Sequence, residues 1–427
     1  MSRKTRVGIV SLGCPRNLVD SESLLGRLAG KGYRITGMEH AEIGIVNTCA
    51  FVEDAKTEAI EAILELARLK KMGSLRKIIV CGCLAQRYGD TLRKEFPEVD
   101  AFVGSPALFH QDGQGFSLTP KSYAYLKICE GCVNNCSFCS VPLIKSRLES
   151  LDEESVMAGI DRLDRERFTE VDIIGQDITG YGIDSSGKGR LAQILRAILK
   201  HSKYRGKRWF RLLYLHPARV GDDLLRLIRD EPRICKYIDL PVQHINSRIL
   251  RLMNRHTGKK EIIRLIERAR KLIPGVAIRS SLIVGFPGET DAEFREMVSF
   301  VKDTGFERLG AFIYSREEGT PAFSFSGQVP GKVQRRRFDE IMSVQQGISE
   351  RKNRELLGKT LDVLIDEKDS QARGHYLGRT QHDAPEVDGT VFVKSRRALK
   401  TGDIVRVRIT DTLEYDLSGE VANEHRE

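Results

Sequence analysis

Short apolar runs alternate with amphipathic segments along most of this chain. Residues 7–12, 43–47 and 77–81 read as buried strands, and 18–29, 53–71 and 85–96 as the helices between them. That alternation predicts a parallel α/β layer, here a Rossmann-like sheet. Residues 109–121, with Gln, Gly, Ser and Pro, read as a linker. The alternation resumes from Tyr123 to near Pro330. Strands are expected at 123–128, 171–175, 209–214, 235–239, 276–284 and 308–314, with helices such as 152–164, 191–201 and 259–272. Six βα units fall short of a closed eight-unit barrel, so the pattern predicts a partial (β/α)6 TIM-type barrel. A charged helix over 333–357 leads into short strands at 361–365, 391–393, 405–409 and 417–421. The alternation at 405–409 fits a half-exposed strand, and a small all-β, OB-like barrel is expected. The predicted fold is therefore α/β with three domains, over 1–115, 120–355 and 358–427.

Composition narrows the class. The chain is 41 % hydrophobic and 30 % charged, as a globular protein with ample core should be. No run approaches the ~18 apolar residues of a membrane span. The start, Met1-Ser2-Arg3-Lys4-Thr5-Arg6, leads directly into a strand with no apolar secretory core, and a cytoplasmic location is expected. Net charge is +10, which favours an anionic partner such as nucleic acid or a ribosomal particle. The charge is uneven. Residues 358–427 hold 11 Lys and Arg against 14 Asp and Glu, a balance of −3, so the remainder carries +13. An acidic C-terminal module favours a basic protein over a phosphate backbone.

Eight of the nine cysteines lie before residue 140, with Cys235 alone downstream. An odd, clustered set suits metal binding or catalysis better than a disulfide framework. Isolated Cys235 reads as a packing residue. Cys132, Cys136 and Cys139 are spaced C-x3-C-x2-C just after a predicted strand. Three thiolates on one tight loop suit three corners of a [4Fe–4S] cluster with the fourth iron open, whereas an electron-transfer ferredoxin normally closes that corner with a fourth cysteine. Nearby Cys129 leaves a zinc-like pairing open, although a clean downstream partner pair is missing. Cys14, Cys49 and Cys81 or Cys83 each follow a predicted strand. Parallel strands deliver their C-terminal ends to one sheet edge, where α/β proteins bind ligands. That placement suggests a second three-cysteine site. The bland alternative is three buried strand-end cysteines.

Several segments resemble the methylthiotransferase family. Ser11-Leu12-Gly13-Cys14-Pro15-Arg16-Asn17, Asn47-Thr48-Cys49-Ala50-Phe51 and Gly82-Cys83-Leu84-Ala85-Gln86-Arg87 are similar to its N-terminal domain. Glu130-Gly131-Cys132 through Cys139, Leu240-Pro241-Val242-Gln243-His244, Met253-Asn254-Arg255 and Ile283-Val284-Gly285-Phe286-Pro287-Gly288-Glu289 resemble its radical S-adenosylmethionine core, and the tail resembles its TRAM domain. Residues 378–389 and 176–184 are similar to the RimO branch, which modifies an aspartate of small-subunit ribosomal protein S twelve, more than to the MiaB branch, which modifies tRNA adenosine. The chain departs from the family after the cluster loop, with Lys145-Ser146 and Ser150-Leu151-Asp152 where Arg-Gly and Ser-Arg-Pro are usual.

The resemblance implies two [4Fe–4S] clusters. Cys132, Cys136 and Cys139 would hold the one that binds S-adenosylmethionine, and Cys14, Cys49 and Cys83 the auxiliary one, leaving Cys81 and Cys129 as non-ligands. It implies two molecules of S-adenosylmethionine per turnover, one giving a methyl group and one a 5′-deoxyadenosyl radical that takes hydrogen from the aspartate β-carbon. A low-potential electron donor, a sulfide or persulfide source, and S twelve or the small ribosomal subunit are the implied partners. Phe138, Gly175, Gln176, Asp177, Val284 and Gly285 are the candidate S-adenosylmethionine contacts. His216 and His244 read equally as structural, and Arg279 as a partner for a carboxylate or an acidic core neighbour. The competing readings are a tRNA-adenosine methylthiotransferase and a non-catalytic iron–sulfur electron carrier.

Overall fold

The computed structural model describes residues 4–105, 116–145 and 147–422. Of the expected linker, 109–115 lie outside the described residues, and 116–121 form neither strand nor helix.

The first layer is a five-stranded, wholly parallel sheet. Its strands, Arg6–Ser11, Arg34–Ile35, Ile43–Thr48, Lys77–Gly82 and Ala101–Val103, lie in the order 2-1-3-4-5. Two of them, at 34–35 and 101–103, are too short to show periodicity in sequence. Helices Pro15–Gly30, Glu53–Lys71 and Cys83–Glu95 connect the layer. Glu53–Lys71 begins with Glu53 and Asp54 and ends with Arg68, Lys70 and Lys71, charges that complement the helix dipole. Its Ala59, Ile63 and Leu66 pack on Val46, Ile78 and Val80 of the sheet.

The second unit has six parallel strands in two sheets of three. Tyr123–Lys127, Glu170–Ile174 and Trp209–Leu212 form one; Tyr237–Asp239, Ala277–Val284 and Arg308–Ile313 form the other. A parallel bridge between Phe210 and Ile234 joins them. The result is the partial (β/α)6 barrel. Its helices turn an apolar stripe inward, as with Leu224, Leu225 and Ile228 of Asp222–Asp230 or Ile262, Leu265, Ile266 and Ala269 of Lys259–Leu272.

The third unit is a closed barrel of Thr360–Lys368, His375–Thr380, Val391–Lys394, Leu417–Val421 and Ile404–Thr412, in that spatial order. Its core includes Val363, Ile365, Val393, Val407 and Ile409. The strand His375–Thr380 has three consecutive buried residues, Gly378, Arg379 and Thr380, so it lacks the alternation that reveals its neighbours.

The small barrel plugs the N-terminal end of the large one through residues 379–388. Arg379 pairs with Glu170 at 2.9 Å, Asp383 with Arg308, and Asp388 with Arg279 at 3.4 Å. The Tyr237 hydroxyl donates to Asp388 at 2.6 Å and that of Tyr123 to Glu386 at 2.8 Å. Arg279 thus meets acidic core neighbours, Asp239 at 3.0 Å as well as Asp388. Two of the tail's acids, Asp383 and Asp388, are thus turned onto arginines of the large barrel rather than outward. No helix among the described residues is long and apolar enough to cross a membrane.

Candidate active site

Each of the six barrel strands contributes its C-terminal end to one cavity of about 360 Å³. The first strand is followed by the loop carrying Cys132, Cys136 and Cys139, all on the cavity wall. The second ends in Gln176 and Asp177, the third in Tyr214, Leu215 and His216, and the fourth in Pro241 and Gln243. Ser281 and Ile283 come from the fifth strand, and the sixth supplies Phe312 through Ser315 and then Glu317. The rest of the wall comes from Arg255, after the helix that follows the fourth strand, and from the N-terminal layer, as Arg16, Phe51 and Val52. Strand-end loops on a rigid scaffold are where barrel enzymes assemble reaction centres.

The three-cysteine loop is held by the turn at 252–254. Ser137 donates its N–H to Met253 O at 3.0 Å and its hydroxyl to Leu252 O at 2.6 Å, and Asn254 Nδ2 donates to Asn135 O at 2.7 Å. Asn254 takes a left-handed φ of 55°, a conformation asparagine tolerates better than most residues. Arg255 follows. Its Nη1 donates to Cys136 Sγ at 3.7 Å and its Nη2 to Pro241 O at 2.7 Å. Asn134 donates to Cys132 Sγ from its backbone at 3.4 Å and from Nδ2 at 3.2 Å. Asp177 holds Asn134 at 2.8 Å and pairs with Arg219. Asp177 thus supports the loop from behind while bordering the cavity.

The second set sits at the C-terminal edge of the parallel sheet. In the order 2-1-3-4-5, the reversal falls between the first and third strands, the position where open α/β sheets bind ligands. Cys14 follows the first strand, Cys49 the third, and Cys83 opens the helix after the fourth. Two asparagines knit these ends together. Asn17 Nδ2 donates to Leu12 O at 3.0 Å and Thr48 O at 2.9 Å, and Asn47 Nδ2 donates to Asn17 O at 2.9 Å. Cys83 Sγ donates to Asn17 Oδ1 at 3.6 Å. Gly13, at φ 88°, lies so near Cys49 that a Cβ there would stand 2.6 Å from the cysteine's own. Only glycine fits.

Both sets suit iron–sulfur clusters. Within each set the thiols sense one another's charge, Cys83 with Cys49 and Cys14, and Cys139 with Cys136 and Cys132. Among the described residues no three His, Cys, Asp or Glu side chains close around a single ion. Three thiols per set are the donor chemistry that an iron–sulfur cluster takes. Burial pushes the Cys83 and Cys139 thiols up to about 12 when no metal is near, and bound iron would overcome that penalty. Cys14 goes the other way. Burial opposes ionisation, but the Arg16 charge and the N–H groups of Asn17 and Arg16 at the helix start outweigh it and lower its pKa.

The other cysteines lie elsewhere. Cys129 is buried against Gly175, where an added Cβ would come within 2.5 Å of its sulfur, and burial pushes it above its usual range. Cys81 is buried in the strand, paired in register with Asn47 and Val103. Cys235 is in the barrel core. Of the expected S-adenosylmethionine contacts, Phe138, Gln176 and Asp177 line the cavity, while Gly175 offers its carbonyl to Arg16 Nη1 at 3.0 Å. Val284 and Gly285 do not line it. Val284 is fully buried and Gly285 lies beneath Gln334, because Ile283 and Ser281 are the residues of that strand facing the cavity. His216 is held neutral by burial and by Arg255 and Arg219, its pKa lowered to about 2. His244 is lowered to about 4 by burial, its Nδ1 accepting the Asn246 N–H at 2.9 Å.

A buried ionic seam fastens the N-terminal layer over the barrel mouth. Lys127 pairs with Asp20 and with Glu130 at 2.7 Å, and Lys145 with Asp20 at 3.5 Å and Glu130 at 3.4 Å. Across the cavity, Glu317 joins Arg87 at 2.8 Å and Lys56 at 3.1 Å. Arg16, Arg255, Asn17, Asn47 and Asn134 all lie inside segments that carry the family resemblance, but sequence reasoning assigns none of them a role of its own.

Comparison with known proteins agrees with this architecture. The model of uncharacterized protein family UPF0004 matches residues 6–104, that of the radical SAM superfamily 126–301, and that of the TRAM domain 357–422. A ribosomal protein uS12 methylthiotransferase RimO from Pelotomaculum thermopropionicum is 44 % identical, over 97 % of this chain and 99 % of its own. One from Clostridioides difficile is 41 % identical over 98 % and 99 %. The chain belongs to the RimO family. Among solved structures, the radical S-adenosylmethionine methyltransferase TsrM from Kitasatospora setae aligns with TM-score 0.53 at 14 % identity, over 75 % of this chain and 74 % of that one. The cobalamin-dependent radical enzyme OxsB aligns with TM-score 0.51 at 13 % identity, over 80 % of this chain and 56 % of that one. At such identities these two speak for the shared fold alone.

Proposed function

We propose that this protein adds a methylthio group to the β-carbon of an aspartate of ribosomal protein uS12, with two [4Fe–4S] clusters held by Cys132, Cys136, Cys139 and by Cys14, Cys49, Cys83. Family membership gives the activity class. The observation that carries the site is the single cavity walled on one side by the three-cysteine loop and on the other by Arg16, Phe51 and Val52, which follow Cys14 and Cys49. Bound there, the clusters would supply the electron that cleaves S-adenosylmethionine and the sulfur that is transferred. The chain's own part is orientation and exclusion of water. Asn134 and Arg255 fix the sulfur atoms of Cys132 and Cys136 by donating to them. Gln176 and Asp177 offer acceptors to an amino group, Phe138 and Tyr314 a face for the adenine. The seam between Lys127, Lys145, Asp20 and Glu130 keeps the two walls at a set separation, which is what lets a reactive carbon meet both centres in turn.

The test is a product assay. The anaerobically reconstituted protein would be given S-adenosylmethionine, a low-potential reductant, and either uS12 or unmodified tRNA. Methylthio addition to an aspartate of uS12 is expected by mass spectrometry. Addition to tRNA alone would overturn the substrate. Absence of any product with cluster content intact would point to an electron carrier only if S-adenosylmethionine were also left uncleaved; cleavage without product would mean a radical enzyme acting on another substrate.

A further inference from the structure

Four charged side chains border the cavity: Arg16, Asp177, Arg255 and Glu317. The two acids are matched, Asp177 by Arg219 and Glu317 by Arg87 and Lys56. The two arginines are not. Neither comes within ion-pair distance of a carboxylate among the described residues. Arg16 donates to the Gly175 carbonyl and interacts with Cys14, and Arg255 donates to Pro241 O and Cys136 Sγ, its Nε buried with no partner. A guanidinium on a cavity wall with no carboxylate partner keeps donors available for an incoming anion. Resting on the function proposed above, the reaction brings in two carboxylates, that of S-adenosylmethionine and that of the target aspartate. The numbers match, and so do the positions. Arg255 stands against the three-cysteine loop, where S-adenosylmethionine belongs. Arg16 stands on the opposite wall, beside Cys14.

We propose that Arg16 is the specificity residue that grips the side-chain carboxylate of the target aspartate. The aspartate β-carbon is one bond from the carboxyl carbon. A guanidinium that holds both carboxylate oxygens therefore also fixes the carbon that must lose hydrogen and gain sulfur. Arg16 is built for such a grip. Its Nη1 is tied to Gly175 O at 3.0 Å, and its guanidinium carbon lies 4.8 Å from the centre of the Tyr214 ring. Tyr214 is held in a left-handed conformation, φ 63°. Its N–H donates to Asp239 at 2.8 Å, and Asp239 is paired with Arg279 at 3.0 Å. Strain of this kind in a non-glycine residue is kept where the surroundings impose it, commonly at functional sites.

The test compares binding of uS12 with that of uS12 carrying Asp→Asn at the modified position, to the reconstituted enzyme with S-adenosylmethionine and no reductant. Calorimetry needs no turnover. The wild-type enzyme should prefer the aspartate form by at least about tenfold, one ion-assisted contact. Arg16→Gln should bring that ratio near one by weakening the aspartate form alone, and Arg16→Lys should keep part of it. Iron content equal to wild type would show the variants assembled. Equal binding of both forms by the wild type would overturn the proposal even if neither variant assembled. So would a ratio unchanged in Arg16→Gln, or an equal loss for both forms. A wild-type enzyme that leaves uS12 unmodified in the product assay would instead defeat the underlying function.

Discussion

At the residue scale, two adjacent acids of one strand have opposite roles. Glu170 accepts from Arg211 at 2.6 Å and pairs with Arg379 at 2.9 Å, which hold its carboxyl below the usual range despite burial. Asp172 is buried beside it with neither oxygen hydrogen-bonded, and burial together with the Glu170 charge pushes it well above its usual range. Burial and the Glu170 charge disfavour its ionised form, so the neutral isostere in Asp172→Asn should cost less than about 1 kcal/mol. Glu170→Gln strips a buried ionic group from two arginines and should cost about 3–5 kcal/mol. Denaturant unfolding of the two variants decides this, and equal losses would refute the assignment. Gly13 makes a second case. Gly13→Ala places a methyl against Cys49 in a left-handed backbone, so the N-terminal set should lose its iron while the C-x3-C-x2-C loop keeps its own. Iron analysis should show about half the wild-type content if each site holds one cluster of the same kind.

At the element scale, the segment 379–388 acts as a plug between two barrels. Burial alone would raise the Asp383 carboxyl, but Arg308 and the Thr380 hydroxyl outweigh it and hold it below its ordinary 3.8. A depressed carboxyl adds stability above its unfolded pKa and loses it as pH falls. The docking should therefore be at full strength near neutrality and weaken below about pH 4. Asp383→Asn should lower stability near neutrality and flatten that acid dependence, as thermal unfolding from pH 6 to pH 3 would show; an unchanged slope would count against the pair. The plug was illegible in sequence because its strand, His375–Thr380, buries consecutive positions against a second domain rather than alternate ones against a single sheet. Strands at 7–12, 43–47 and 77–81 were legible for the opposite reason: parallel strands covered on both faces are continuous apolar runs.

At the scale of the whole molecule, the three units share one ionic framework. A chain ending after Leu357 would leave Arg308 without Asp383 and Glu170 without Arg379. It should lose its cooperative melting transition rather than yield a working core, and a soluble truncated enzyme with wild-type melting would contradict this. The same framework explains the tail's charge. Residues 358–422 expose nine Lys and Arg, at 359, 368, 373, 394, 396, 397, 400, 406 and 408, against five acids, at 367, 386, 411, 414 and 420. Residues 358–422 hold ten Lys and Arg against twelve Asp and Glu, yet basic residues dominate the fully exposed positions, six of the acids being half-buried and Asp383 buried.

What the sequence by itself determined is what depends on local spacing. Cys132, Cys136 and Cys139 fall on one loop, and Cys14, Cys49 and Cys83 each follow a strand, so chain connectivity alone delivers them to strand ends. The order of elements likewise specified a parallel layer, a six-unit partial barrel and a small β-barrel. What only the tertiary structure decided is which side chains from distant segments meet. Arg16 and Arg255 are motif residues without a role to a sequence reader, and only the enclosing walls show two arginines on one cavity with no carboxylate partner. Val284 gives way to Ile283 because the pleat of one strand, set by its neighbours, chooses the face. Asp383 of the tail turns inward onto Arg308, 75 residues away, and Arg379 of the tail onto Glu170 of the large barrel, more than 200 residues away. Pairings of that span follow from packing of domains, and no window of sequence contains them.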